Sequence, residues 1–234
     1  MIKTILFDLD GTLLPMVQEV FVKTYLDFLA EHMQQYGYEK QKFAGAVLQG
    51  IKSMVQNDGT KTNKQAFWQQ FAKSFPDYEK DLPNFDDFYE NHFDKVQHSC
   101  GFNPQSRKLV KTLKHMGYNL VLATNPLFPK TATQKRIKWA GLDESDFDLV
   151  TVFENSCFCK PNLNYYKQIL QKQNLDPKQC MMVGNDVGED MIAGDLGLDV
   201  FLLTADLINR ENKDISDFAN GNMDDLLEYI KSKK

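Results

Sequence analysis

The sequence predicts an α/β protein, a doubly wound parallel sheet that carries an inserted all-helical segment. Two observations support the sheet. An apolar stretch leads up to Asp8, and from about Pro104 onward short apolar stretches alternate with amphipathic ones, as strands alternate with helices. A third observation supports the insertion, because roughly eighty residues between these two parts have apolar positions at helical spacing only.

The first strand begins in Ile2-Lys3-Thr4-Ile5 and ends at Asp8, and Gly11 lets the chain turn sharply after it. In the helical segment that follows, Val17 and Phe21 mark the buried side of the first helix. The helices of this segment are predicted over residues 17–36, 39–56, 63–75 and 84–97. Their aromatic residues are expected to form the segment's own core.

The rest of the chain alternates between strands and helices. Strands are predicted over residues 118–123, 147–153, 180–183 and 199–203. Helices are predicted over residues 105–116, 130–140, 160–173 and 224–231. A further helix is expected after the fourth core strand, ending at Gly197, and residues 205–222 form a polar loop. We therefore expect an α/β domain of residues 1–14 and 100–234 and a helical domain of residues 15–99.

The composition is ordinary for a soluble globular protein, with 42% hydrophobic and 25% charged residues. A formal net charge of −5 disfavours binding to nucleic acid. No apolar stretch is long enough to span a bilayer, and the N-terminus has no apolar segment of the signal-peptide type. The four cysteines are scattered, which fits a reducing compartment. The sequence therefore predicts a cytoplasmic protein without a nucleic-acid or membrane partner.

The run Leu-Phe-Asp-Leu-Asp-Gly-Thr at residues 6–12 is the most informative in the chain. Asp8 and Asp10 follow the first strand with one residue between them, so an extended backbone points both side chains to the same side. Two carboxylates this close repel each other, and a positive charge must share their site. One carboxylate can then act as a nucleophile and the other as a proton carrier. Asp-Gly also occurs in ordinary turns, which is the alternative explanation.

Polar residues also follow the other predicted core strands, where ligands bind in open parallel sheets. They are Thr124 and Asn125, then Lys160, and then Asp186 and Asp190. Each of them alone has an ordinary structural explanation, but together with Asp8 and Asp10 they form a chemically consistent set. The four aspartates require cations, which Lys160 and a hard divalent ion, Mg²⁺, would supply.

Such a site attracts a phosphoryl group, because a metal ion and a lysine together neutralise its oxygens. Thr124 offers a hydroxyl, and the backbone N–H groups that follow it, beginning at Asn125, can hold a further oxygen. Asp8 can attack phosphorus and form an aspartyl-phosphate. Asp10 can protonate the leaving oxygen and later activate the hydrolytic water.

With these motifs the chain resembles the haloacid dehalogenase superfamily of hydrolases. The family's first motif, Asp-x-Asp-Gly-Thr, matches residues 8–12, and its second, a Thr or Ser that ends a strand, matches Thr124. The third, a Lys commonly followed by Pro, matches Lys160-Pro161, and the acidic fourth motif matches residues 184–190. The helical segment is similar in position and size to the family's cap domain.

The resemblance implies a Mg²⁺-dependent phosphatase acting on a small-molecule phosphate ester. By the match, Asp8 is the nucleophile and a metal ligand, and Asp10 is the acid/base whose backbone carbonyl also touches the metal. The resemblance also implies that Thr124 and Lys160 bind the phosphoryl group. An acidic residue of the last motif completes the metal site.

The last motif departs from the family pattern, because Asn185 follows Gly184 where members commonly have Asp. We expect Asp186 to be the direct metal ligand and Asp190 to support it through water or through Lys160. The reverse assignment stays open, as does ligation by the carbonyl oxygen of Asn185.

Several alternatives share parts of this pattern. A dehalogenase of the family needs no metal and lacks the second aspartate of the first motif, whereas this chain has Asp10. A phosphomutase uses the same core residues and differs in how its cap excludes water. A phosphonate-cleaving member needs a cap lysine that forms a Schiff base, for which Lys52, Lys61, Lys64 and Lys73 are available.

Two non-enzymatic alternatives remain as well. A phospho-acceptor signalling module of the receiver type resembles the chain locally but lacks a helical insertion, and a binding protein would keep the fold without turnover. If the chain is an enzyme, cap loops select the leaving group. The candidates are the turn after Pro15 and the polar loop of residues 56–62, which equally fits a solvated connector.

Overall fold

The sheet is parallel throughout and has the strand order β3-β2-β1-β4-β5-β6 in a computed structural model that describes residues 1–233. The strands are β1 Thr4–Phe7, β2 Asn119–Leu122, β3 Leu149–Val150, β4 Cys180–Gly184, β5 Asp199–Leu203 and β6 Ala219–Gly221. The strand order reverses between β1 and β4, which is the arrangement of a doubly wound sheet. The predicted fold class is confirmed. Lys234, the last residue of the predicted α/β domain, lies outside the described residues.

The α-helices divide into a group between β1 and β2 and a group that connects the later strands. The first group is α1 Gln18–Gln34, α2 Lys40–Val55, α3 Asn63–Phe71 and α4 Leu82–Asp87. The second group is α5 Pro104–His115, α6 Lys130–Trp139, α7 Leu163–Lys172 and α8 Met223–Ser232. In the described part of the chain, no helix combines the length and the apolar character that crossing a bilayer requires.

The central strand β1 is buried along its whole length, and its side chains alternate between two apolar cores. Ile5 and Phe7 belong to a large core that continues into the helices between β1 and β2. Leu6 belongs to a second core on the opposite face, with Tyr166 and Ile169 of α7. Both faces of β1 are therefore covered, which explains why its sequence is almost continuously apolar.

The inserted helices pack around aromatic side chains, as the sequence predicts. Phe43 of α2, Phe71 of α3 and Phe85 of α4 are buried, and their ring centroids lie 5.8–5.9 Å apart. Such offset and edge-to-face pairs add to the stability that burial alone provides. These aromatic rings form the core of the insertion.

The fourth inserted helix differs from its predicted span, residues 84–97. The α-helical part, α4, ends at Asp87; a single π-helical turn over Phe88–His92 and a 3₁₀ helix over Phe93–Ser99 follow. The amide of Phe93 donates to the carbonyl of Phe88, five residues back instead of four. One additional residue is accommodated in the turn, which a count of apolar positions does not reveal.

A strand and a helix of the α/β domain are shorter than predicted. The strand predicted over 147–153 has only two residues in β3, although the amides of Asp148 and Thr151 still donate to the carbonyls of β2. The helix predicted over 160–173 begins at Leu163, because the Asn162 side chain caps it by accepting from the amide of Asn164. The Lys160–Pro161 peptide bond before it is cis.

The helix predicted to end at Gly197 is a 3₁₀ helix over Met191–Leu196. Gly197 does end it, with φ of 86°, a conformation that favours glycine. The predicted loop of residues 205–222 contains the short strand β6. An edge strand of this length leaves little signal in a polar stretch.

Candidate active site

The predicted aspartates, Thr124 and Asn125 follow the carboxyl ends of three neighbouring strands, β2, β1 and β4, and Lys160 lies in the segment between β3 and α7. The amide of Asp8 donates to the carbonyl of Val183 at 2.9 Å, and the amide of Ala123 donates to the carbonyl of Phe7 at 2.7 Å. These bonds extend the parallel ladders beyond the strands and fix Asp8 beside Thr124 and the loop after β4. The crevice at the reversal of strand order is where doubly wound sheets bind ligands.

Lys160 connects two of the predicted aspartates. Its Nζ donates to Asp8 Oδ1 at 2.8 Å and to Asp190 Oδ1 at 2.6 Å, and only 1% of the side chain is exposed. Burial by itself lowers the pKa of Lys160, but the Asp190 and Asp8 carboxylates outweigh it and hold that pKa well above its ordinary value. Lys160 is therefore a fixed positive charge, as the sequence predicts.

The first motif also contacts the last one through Thr12 and Asn185. The Thr12 hydroxyl lies 3.2 Å from Asp8 Oδ2 and 3.0 Å from Asn185 Oδ1, so its single proton can be donated to either. Gly11 has φ of +83°, and a Cβ there would overlap the Asn185 side chain. The Asp-Gly-Thr sequence thus allows Asn185 to pack directly on the first motif.

Asp10 forms an ion pair with Arg136 of α6, a partner that our sequence analysis missed. The Arg136 side chain is fully buried, its Nη2 donates to Thr133 Oγ1 at 3.2 Å, and its guanidinium lies 4.4 Å from the centroid of the Phe128 ring. Burial raises the pKa of the Asp10 carboxyl, and Arg136 opposes that rise. No sequence signal marked Arg136, because it stands among lysines in α6.

Asp186 and Asp190 occupy different environments. Asp186 Oδ1 accepts from the amides of Gly188 and Glu189 at 2.8 and 3.0 Å, and its Oδ2 lies 2.5 Å from Nη1 of Arg210, a second arginine that our sequence analysis missed. Asp190 Oδ1 accepts from Lys160, and its Oδ2 accepts from the amide of Asp186 at 3.0 Å. Both oxygens of Asp190 are thus committed to protein donors.

Four buried polar atoms of the site find no hydrogen-bond partner within residues 1–233: Asp10 Oδ1, Thr124 Oγ1, Asn125 Oδ1 and Arg136 Nε. Unpaired buried polar atoms are unfavourable unless a ligand or ordered water satisfies them. In the described part of the chain, the four aspartates are paired with three cationic side chains, those of Lys160, Arg136 and Arg210. This donor set fits a hard divalent cation and a phosphoryl group.

The polar loop of residues 56–62 leads into Asn63, which is hydrogen-bonded to the segments next to Asn125 and Lys160. The side-chain Nδ2 of Asn57 donates to the carbonyl of Lys61 and to Asn63 Oδ1, both at 2.9 Å. Asn63 is fully buried, and its Nδ2 lies 3.3 Å from the carbonyl oxygens of Pro126 and Phe158. Both asparagines are occupied by protein contacts, which favours the connector alternative for the buried part of this loop.

Gly184 at the end of β4 is required by the close approach of Asp190. A Cβ at Gly184 would overlap the Asp190 carboxylate. We expect Gly184→Ala to lower the free energy of unfolding by about 1–3 kcal/mol, as measured by chemical denaturation. Gly45→Ala in α2 is the control, because nothing lies within 4 Å of its Cβ. That control should raise stability by about 0.5–1 kcal/mol, and similar effects of the two changes would contradict the steric argument.

Sequence comparisons match the chain to hydrolases and phosphatases. A family model described as a haloacid dehalogenase-like hydrolase matches residues 2–195. A phosphoglycolate phosphatase of Vibrio vulnificus is 26% identical in an alignment of 238 positions that covers 98% of this chain and 96% of the relative. A D-glycero-beta-D-manno-heptose-1,7-bisphosphate 7-phosphatase of Haemophilus ducreyi is 27% identical in an alignment of 173 positions that covers 63% of this chain and 92% of the relative.

The fold is also found among solved structures. A 2-haloacid dehalogenase from Pseudomonas syringae pv. Tomato covers 100% of both chains with a TM-score of 0.65 and 16% sequence identity, a likeness that concerns the fold alone. The family model, in contrast, spans the first motif, Thr124, Lys160 and the acidic last motif. The chain belongs to the haloacid dehalogenase-like hydrolases.

Proposed function

We propose that this chain is a Mg²⁺-dependent phosphatase that hydrolyses a small phosphate ester through an aspartyl-phosphate on Asp8. One observation carries the proposal: the Asp8 carboxylate is held by buried Lys160, and the hydroxyl of Thr124, which follows the neighbouring strand β2, has no hydrogen-bond partner within residues 1–233. A nucleophile, a fixed positive charge and a free hydroxyl thus meet where a phosphoryl group can be bound.

The proposed reaction has two steps. In the first, an oxygen of Asp8 forms a bond to phosphorus while the ester oxygen leaves and takes a proton from Asp10. In the second, Asp10 removes a proton from water, the water oxygen bonds to phosphorus, and the bond between phosphorus and Asp8 breaks. The products are an alcohol and inorganic phosphate, and both aspartates return to their initial state.

The raised pKa of Asp10 fits this role, because an acid must keep its proton until the leaving group needs it. Arg136 limits that rise, so that Asp10 can also lose the proton to act as a base. Lys160, the Thr124 hydroxyl and the backbone N–H of Asn125 orient the phosphoryl oxygens, while the Asn125 side chain donates to Glu189.

Asp8, Asp186 and the backbone carbonyl of Asp10 would hold the Mg²⁺ ion, which supplies positive charge against the developing charge on the phosphoryl group. Asp190 is held by fully buried Lys160 and a backbone amide, whereas Asp186 Oδ2 is held by Arg210, whose side chain is 54% exposed and can move aside for a metal ion. This difference supports Asp186 as the direct ligand and Asp190 as its support. Asn185 uses its Oδ1 as an acceptor near Thr12 and its Nδ2 to donate to the Asp206 carbonyl at 2.6 Å.

A small substrate fits the space beside the site. A cavity of about 330 Å³ borders Asp186, and Glu189, Arg210 and Lys213 supply charges to its wall. Pockets of this order hold metabolites rather than protein segments. The curated relatives are named for phosphoglycolate and a heptose bisphosphate, which are also small phosphate esters.

The proposal extends to the organisation of the chain. Residues 1–14 and 100–234 form the catalytic domain, and residues 15–99 form a cap that selects the leaving group. The start of α1 contacts the site region, because Arg210, the partner of Asp186, also donates to Gln18 Oε1 at 2.8 Å. The cytoplasmic location and the absence of nucleic-acid partners stay predictions from the sequence.

The test is the hydrolysis of p-nitrophenyl phosphate by the purified protein, with Mg²⁺ and with a chelator. We expect release of nitrophenol and of an equal amount of inorganic phosphate with Mg²⁺ only. A phosphomutase would instead move the phosphoryl group within a sugar phosphate, and a dehalogenase would release halide from a haloacid without Mg²⁺. Activity of either kind without phosphate release would overturn the proposal.

The two aspartates of the last motif should differ in their effects on metal dependence. We expect Asp186→Asn to raise the Mg²⁺ concentration for half-maximal activity by at least about tenfold, because it removes a charged ligand oxygen. Asp190→Asn should lower the maximal rate and shift the Mg²⁺ titration less, because Asp190 acts through Lys160. The reverse order in a Mg²⁺ titration would assign the ligand to Asp190.

A further inference from the structure

Two histidines and one aspartate converge in the helical insertion, away from the proposed active site. His32 lies in the last turn of α1, Asp87 ends α4, and His92 ends the π-helical turn. Asp87 Oδ2 lies 3.6 Å from His32 Nε2 and 3.3 Å from His92 Nε2. One potential ligand atom from each of the three residues lies within 4.8 Å of the other two.

The π-helical turn brings Asp87 and His92 together. In an α-helix, residues five positions apart point about 140° away from each other. Between Asp87 and His92 the helix is widened by one residue, as the bond from the Phe93 amide to the Phe88 carbonyl shows, and both side chains reach the same side. Single π turns are frequent at functional sites, because an extra residue redirects side chains without ending the helix.

Neighbouring residues orient the ligand atoms of His32 and Asp87. The His32 side chain is 7% exposed and its Nε2 lies 3.6 Å from Asp87 Oδ2, and an imidazole nitrogen is a common metal ligand. Asn91 Nδ2 donates to Asp87 Oδ1 at 2.8 Å, which leaves Asp87 Oδ2 directed at both rings. Such support of a ligand by a neighbouring side chain is typical of metal sites.

We propose that His32, Asp87 and His92 bind a Zn²⁺ ion that ties the end of α1 to the π-helical turn. Two imidazole nitrogens and one carboxylate oxygen suit Zn²⁺, whereas Mg²⁺ prefers oxygen ligands alone. In a tetrahedral zinc site the donor atoms are about 3.3 Å apart, close to the two separations from Asp87. His32 Nε2 lies 3.1 Å from the Asn84 carbonyl and exchanges this hydrogen bond for the metal.

A cavity of about 210 Å³ is lined by His32 and His92, and a water molecule there would complete a tetrahedral site. Glu31 and Lys95 line the same cavity and offset each other's charge. This site is independent of the proposed phosphatase activity, because it shares no residue with the candidate active site.

The test is Zn²⁺ binding by equilibrium dialysis in excess Mg²⁺, comparing the full-length protein with single variants. The unaltered protein should bind one more equivalent of Zn²⁺ than His92→Ala or Asp87→Asn. The matched control is His115→Ala, an exposed histidine in α5, which should keep that equivalent. Asn91→Ala keeps all three ligands and should weaken binding by about 10–100-fold.

A second measurement guards against a folding defect in the variants. Zn²⁺ should raise the melting temperature of the unaltered protein and of His115→Ala, because it binds the folded state. It should not raise the melting temperature of His92→Ala or Asp87→Asn. Equal Zn²⁺ stoichiometry and affinity in the unaltered protein and His92→Ala would overturn the proposal and leave His32, Asp87 and His92 as a polar contact between helices.

Discussion

Asp8→Asn is expected to reduce phosphate ester hydrolysis by at least about 1,000-fold while the fold survives. The amide cannot attack phosphorus as a carboxylate does, so the first chemical step is lost. Its carbonyl oxygen can still accept from Lys160, and the Thr12 hydroxyl has a second acceptor in Asn185 Oδ1, 3.0 Å away. The measurement is steady-state hydrolysis of an aryl phosphate with saturating Mg²⁺, together with thermal unfolding of both proteins.

Asp195→Asn is the matched control, because it makes the same change at an exposed aspartate in the 3₁₀ helix after the last motif. The control should keep full activity. If Asp8→Asn hydrolyses the ester as fast as the control does, Asp8 is not the nucleophile. If it loses activity only because it unfolds, thermal unfolding reveals this separately.

The main parts of the candidate site could be predicted from the sequence, because parallel strands bring their carboxyl ends to one edge. Asp8, Thr124 and Asp186 each follow an apolar run, and the register of β1 with β2 and β4 aligns those ends. Lys160 follows a weaker strand, yet its side chain reaches Asp8. Lys160 could therefore be assigned to the site because carboxylates require a nearby positive charge, although its position relative to a strand was a weak indication.

The arginines of the site could not be predicted in the same way. Arg136 lies in α6, whose sequence has a weak apolar pattern and several lysines, so nothing distinguishes a buried arginine there from a solvated one. Arg210 lies in a polar loop whose path over Asp186 depends on backbone bonds such as the Ile208 amide to the Asn185 carbonyl at 2.9 Å. Their roles arise from tertiary contacts that a single sequence does not encode locally.

Helix boundaries were predicted well where capping residues mark them and poorly where the helix changes type. The Thr62 side chain and Gln65 form a capping box at the start of α3, close to its predicted start. The π-helical turn after Asp87, in contrast, keeps its apolar residues buried, with Phe88 and Phe93 both below 2% exposure. A helical pattern remains visible in the sequence although the hydrogen bonding has changed, so the prediction continued one helix through it.

Lys160→Met should cause the largest loss of stability among the predicted substitutions, about 3–5 kcal/mol in the free energy of unfolding. Methionine has a similar volume, so packing changes little. The Asp8 and Asp190 carboxylates, however, would stay buried in the absence of their shared counter-charge. The measurement is chemical denaturation in a chelator, with Lys167→Met as the control at an exposed position of α7.

The loss should depend on pH in a direction set by Asp190. Burial raises the pKa of Asp190 and Lys160 opposes that rise, so removing Lys160 raises the pKa further. A carboxyl whose pKa is higher in the folded state favours folding when it is protonated. The stability deficit of Lys160→Met should therefore shrink as the pH falls from about 8 to about 5, and a deficit that grows toward acid would contradict this account.

A double-mutant cycle measures how much the interaction between Lys160 and Asp190 contributes to the free energy of unfolding. Asp190→Asn alone removes a charge but leaves Lys160 with Asp8, whereas Lys160→Met alone leaves both carboxylates without their cation. If Lys160 mainly neutralises Asp190, the double variant should be less destabilised than the sum of the single changes by about 1–3 kcal/mol. Strict additivity would mean that Lys160 acts mainly on Asp8, and its chief role would then be to position the nucleophile.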